Sequence, residues 1–177
     1  MSLRKAFRQW LKPRTGVTCQ AVRVPPAQAR PRDFQRSRVY GWERGHVLPL
    51  ACDPLSLDGC RELVHRVYAD REANRHHCRD WTPPEVTDGR GRRHACGSRT
   101  VIKLPRWART PAVVLHECAH GLSHDGHGPG FVRTYVELLV DFAGFERAYL
   151  ERTLTVAGVR CDAVSDGSAT APPATFT

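Results

Sequence analysis

The chain has 177 residues, 41% of them hydrophobic and 25% charged, and carries a net charge of +9. That length suits one domain with flexible ends, and the composition is too apolar for a wholly disordered chain. No window approaches the ~18 consecutive apolar residues that cross a bilayer. The basic start, MSLRKAFRQWLKPR, lacks the apolar core and cleavage site of a secretory signal, so the cytoplasm is the expected location.

Of the 27 basic residues only Lys5, Lys12 and Lys103 are lysine, a bias that GC-rich codon usage produces without selection for binding. Ten basic residues fall in the first 40 positions against a single acid, Asp33. Any contact with nucleic acid would therefore be made by this arm, which otherwise reads as a solvated tail. Seven cysteines, at 19, 52, 60, 78, 96, 118 and 161, include no CxxC pair, which argues for reduced thiols and against a cysteine zinc ribbon. His76, His77, Cys78, His94 and Cys96 cluster in sequence, but their spacings fit no closed structural zinc pattern.

Residues 1–31, with Pro25, Pro26 and Pro31 among small and basic side chains, read as a flexible basic extension. The folded unit is expected over 32–155, and 156–177, ending in SDGSATAPPATFT, reads as a disordered tail. Val39, Tyr40 and Trp42 suggest a short extended piece, whereas Leu63, Val64 and Val67 put Leu57 to Arg71 on a helix. Trp81 to Cys96 is rich in turn residues, and Thr100 to Leu104 reads as a strand ended by Pro105. Thr110 and Pro111 open a helix, with Thr able to cap free N–H groups and Pro suited to the first helical position. The following AVVLHECAHGL is apolar on nearly every side, the mark of a helix buried in the core. After the SHDGHGPG turn, Phe131, Tyr135, Leu138, Leu139 and Phe142 form one stripe of a second helix, Pro129 to Phe142. A last helix is expected from Phe145 to Leu154.

His116-Glu117-Cys118-Ala119-His120 is an HExxH motif. Histidines four residues apart lie one above the other on a helix and can reach one ion, while Glu117, rotated by about 100°, meets the ion's open side. Burying three ionisable groups together without a metal would be costly. Catalytic zinc takes three protein ligands and keeps a position for water, so a third ligand is needed. His124, Asp125, His127, Glu137 and Asp141 are the candidates. His124 would extend the same helical row and close a tetrahedron poorly, and it also reads as an exposed turn residue. His127 follows the glycines that break the helix, so it can approach from a new direction and is favoured over Glu137 of the second helix. The HExxHxxGxxH pattern is excluded, because Ser123 and Gly126 stand where it needs glycine and histidine.

HECAH followed by HGPGF resembles the SprT-like and WLM-type zinc metallopeptidases. RDFQRSRVYGWE at 32–43, IKLPRWAR at 102–109, VVLHECAH and HGPGFVRTYVELL together resemble an actinobacterial family of HExxH metallohydrolases also carried by some phages. The resemblance spans about Arg32 to Leu154. It implies an α+β, zincin-like domain of the small gluzincin or SprT-like kind, with a short sheet and the HExxH helix packed on a second helix. It also implies Zn2+ bound by His116, His120 and His127, and Glu117 as the catalytic base. Gly130 stands where such proteins often carry Glu, and the C-terminal zinc ribbon of full SprT proteins is missing, so their DNA-linked activity does not transfer.

The expected chemistry is peptide-bond hydrolysis by zinc-activated water, with Glu117 carrying the proton. Tyr135, His124 and Arg133 are candidates to stabilise the tetrahedral oxyanion, Asp141 to hold a ligand histidine from behind, and Thr100 to Leu104 to pair with extended substrate. A zinc domain without catalysis, or a nucleic-acid-associated accessory protein acting through Arg4 to Arg38, is the competing reading. Glu117 argues against the first, because a structural site closes with four protein ligands.

Overall fold

The computed structural model describes residues 33–74 and 82–162. The extension expected over 1–31, the His76-His77-Cys78 part of the second cluster and residues 163–177 of the tail expected from 156 lie outside the described residues; residues 156–162 are described, with Val156 ending a helix and Val159 buried. The architecture is α+β, with five α-helices and a three-stranded mixed sheet.

Residues Val39 to Trp42 correct the expectation of an extended piece: they belong to helix α1 (Arg36–Trp42). A strand would put Tyr40 and Trp42 on one face. Here Trp42 enters the core, with its indole N–H on Thr153 Oγ1 at 2.9 Å, while Tyr40 turns toward the HExxH histidines. Burying Val39 and Trp42 together requires the helical period, which four residues rich in β-branched and aromatic side chains do not reveal. The helix runs straight into one π-helical turn (Glu43–Val47), closed by Leu48 N–H on Glu43 O at 2.9 Å. Such turns shift the helix register locally. Here the turn begins at a buried acid, Glu43.

Helix α2 (Leu57–Asn74) buries Cys60, Leu63, Val64, Val67 and Tyr68, in line with the sequence pattern. Strand β1 (Glu85–Asp88) lies in the stretch read as turns, because only Val86 of its four residues enters the core. Strands β2 (Cys96–Gly97) and β3 (Val101–Leu104) complete the sheet in the order β1-β3-β2. Strand β1 pairs parallel to β3 and β2 antiparallel, with Gly97 opposite Ile102.

Helix α3 (Pro111–Leu122) is buried on nearly all sides, as its composition requires. Its N-cap, Thr110, has extended backbone, but its hydroxyl makes no capping bond, so the expected side-chain cap is not used. The opening instead rests on Pro111 and on Val114 N–H donating to Thr110 O at 3.0 Å. Helix α4 (Pro129–Ala143) packs along α3 through Phe131, Tyr135, Leu138 and Leu139. Helix α5 (Arg147–Val156) adds Leu150 and Leu154 to the same core. Beyond it the chain returns to the start of α1: Gln35 donates to Arg160 O and accepts from Arg160 N–H, both at 2.9 Å. Among the described residues no helix is long and apolar enough to cross a membrane.

Candidate metal centre

Helix α3 carries His116 and His120 one turn apart, and the turn after it folds back to bring in His127. Gly126 makes that reversal with a φ of 65°, a left-handed conformation that L side chains rarely adopt. Asp125 then holds the start of α4, accepting from Gly130 N–H and Phe131 N–H at 2.8 Å each. As a result one ligand-capable atom from each of His116, His120 and His127 lies within 4.8 Å of the others. Among the described residues this is the one such group of three or more.

Two carboxylates fix the rings. His116 Nδ1 lies 3.1 Å from Glu43 Oε1, and His127 Nδ1 lies 2.8 Å from Asp33 Oδ2. An Nδ1–H held this way leaves Nε2 as the free lone pair facing inward. Among the described residues His127 Nε2 is buried without a hydrogen-bond partner, an arrangement that is costly unless something binds there. Tyr135 reinforces the arrangement, its hydroxyl lying 2.7 Å from Glu43 Oε1 and 3.1 Å from Ala112 O.

Burial and the neighbouring His116 and His127 push His120 down to about 3. Burial likewise holds His127 below the usual imidazole value despite Asp33. Both are therefore neutral, the form that ligates. For His116 the opposing burial is outweighed by Glu43, which raises it, and Glu43 is lowered in turn by His116 despite its own burial. Glu117 is 6% exposed, and burial raises its carboxyl against the pull of His116 and a hydrogen bond from Gly97 N–H.

The approach of β2 to Glu117 permits no side chain at position 97. A Cβ there would lie 2.8 Å from Glu117 Oε2 and closer still to the Glu117 carbonyl oxygen. Replacing Gly97 with alanine is expected to cost about 1–3 kcal/mol, as overpacking does. Urea unfolding monitored by tryptophan fluorescence measures this, and an unchanged midpoint would contradict the tight contact.

The other sequence candidates lie elsewhere. Glu137 is ion-paired with Arg71 at 3.0 Å and near Arg133 at 3.8 Å, so it stands apart from the histidines. Tyr135 is fully buried behind His116, and its hydroxyl is engaged by Glu43, which removes it as an oxyanion donor. His124 is exposed on the turn, and Asp141 is exposed near Arg71. Asp33 and Glu43 hold the place expected of Asp141. Strand β3 is hydrogen-bonded on both edges, so it has no edge for a substrate strand; β2 is an outer strand of the sheet. His94 and Cys96 are exposed.

Sequence reasoning missed Asp33, Glu43 and Gly97. The first two open and close the segment RDFQRSRVYGWE, so the signal was present as an acid at each end of a conspicuous stretch. No family model, no curated protein and no solved structure matches the chain.

Proposed function

We propose that the chain is a zinc-dependent hydrolase, most simply a metallopeptidase of zincin-like fold, with His116, His120 and His127 as ligands and Glu117 as general base. The observation that carries this reading is the convergence of three imidazoles beside a buried carboxylate, with His127 Nε2 lacking any other partner among the described residues. Three imidazole nitrogens are a donor set that suits zinc. Among the described residues no fourth ligand joins the three histidines, which leaves a position for water and favours catalysis over a purely structural role.

When bound, zinc would supply Lewis acidity, lowering the pKa of water toward ~7 and polarising the scissile carbonyl. Glu117 takes a proton from the attacking water as its oxygen joins the carbonyl carbon. It returns that proton to the amide nitrogen as the C–N bond breaks. The Gly97 N–H fixes the carboxylate for both steps. Asp33 and Glu43 hold the ligand rings in one tautomer. An extended peptide has the outer strand β2 available for pairing, beside Glu117.

The test is the metal content of protein purified without added zinc, combined with cleavage of a mixed fluorogenic peptide library before and after 1,10-phenanthroline. One zinc per chain and chelator-sensitive cleavage restored by zinc are expected. A wild-type chain that holds no metal and takes up none when zinc is added would end the reading.

A further inference from the structure

With Tyr135 held by Glu43 behind His116, a donor for the oxygen that becomes negative when water adds to a carbonyl has to come from the open side of the cluster. Helix α1 supplies one. The Tyr40 ring stacks on His116, with centroids 5.6 Å apart and planes 13° from parallel, and meets His127 edge-on at 4.9 Å. Tyr40 is half-buried, so it stands at the mouth of the histidine cluster while Tyr135 lies behind it. Arg36, one helical turn earlier, lies over the Tyr40 ring at 5.5 Å from its centroid and is exposed at the rim. Among the described residues Arg36 forms no ion pair with a carboxylate.

The segment bearing this pair is fastened on both sides of it. Asp33 is bound to His127 and Glu43 to His116, while Gln35, Val39 and Trp42 are buried on the opposite side. The two carboxylates that orient the rings therefore also hold Arg36 and Tyr40 in a fixed relation to them. Donors held in place before reaction are the kind that stabilise developing charge most, since nothing need reorganise.

We infer that Tyr40, backed by Arg36, donates the hydrogen bond to the substrate's developing oxyanion, and that Arg36 supplies positive charge beside it. The inference rests on the zinc-hydrolase reading and adds the residues that read the transition state. Cobalt-substituted wild type, Tyr40→Phe and Arg36→Gln would be titrated with acetohydroxamate, an anionic mimic of the reacting group, by visible absorption. Cobalt affinity would be measured separately by competition with a chromophoric chelator.

Tyr40→Phe keeps the ring and its stacking. It is expected to bind acetohydroxamate about 10- to 100-fold more weakly, as loss of a hydrogen bond to a charged group does, with cobalt affinity unchanged. Arg36→Gln should shift in the same direction. Acetohydroxamate binding at wild-type strength in Tyr40→Phe would overturn the inference and leave the metal site standing. So would a fall in cobalt affinity equal to the fall in acetohydroxamate affinity, because the hydroxyl would then be serving the ligands. A wild-type chain that takes up no cobalt would instead remove the metal reading itself, and this inference with it.

Discussion

Replacing His127 with alanine is expected to weaken zinc binding on the order of 10³-fold, whereas Glu137→Ala should leave it unchanged. The first figure follows from losing one of three ligands to an ion whose site is worth roughly 10–16 kcal/mol in structural zinc peptides. The second follows from geometry, since Glu137 is bound to Arg71 at 3.0 Å and is not part of the histidine group. Glu137→Ala is still expected to lower stability, because it leaves the nearly buried Arg71 guanidinium without its carboxylate. The pair of variants thus separates two effects, metal affinity by chelator competition and folding stability by urea unfolding. Asp33→Asn belongs between them, at about 10- to 100-fold in metal affinity, the usual effect of removing a carboxylate behind a ligand histidine. Wild-type zinc affinity in His127→Ala would remove the third ligand from the proposal.

His127 was legible in the sequence because its constraint is local. An HExxH helix broken by glycines must turn, and the first histidine after the turn is brought back to His116 and His120. The same locality made α2, β3 and α3 legible, since each has its own apolar period or run. What was not legible depends on contacts distant in sequence. Glu43 meets His116 across 73 positions and Asp33 meets His127 across 94, so no spacing rule connects them. Glu137 and Asp141 lie in the right part of the sequence for a ligand or its support, but helix α4 turns them to Arg71. Strand β1 escaped for a related reason: its partner is β3, which runs parallel to it, and its one core residue leaves no alternation to detect. Residues 33–43 have one physical role as a block: Asp33 just before helix α1, Tyr40 within it and Glu43 in the turn after it all meet the histidine cluster.

Glu117→Gln is the variant that separates catalysis from architecture. The amide has almost the same shape and an oxygen still able to accept from Gly97 N–H, so zinc content should remain that of wild type. Peptide hydrolysis should fall by about 10²–10⁴-fold, the usual worth of a positioned general base, because an amide cannot take the water's proton. Stability of the metal-free protein should move the other way. Burial raises the Glu117 carboxyl above its ordinary value, so the folded state resists an ionisation that the unfolded chain permits. The contribution of this residue to stability is therefore greatest below the unfolded-state value and declines as pH rises through the raised one. At neutral pH, glutamine removes that penalty, and Glu117→Gln should unfold at a higher urea concentration than wild type, with the gain shrinking as pH is lowered. A residue placed there for stability would show the reverse, and a Glu117→Gln protein that kept wild-type hydrolysis would exclude Glu117 as the base. Loss of activity together with a gain in apo-stability is the signature of a carboxylate held in the interior for its chemistry.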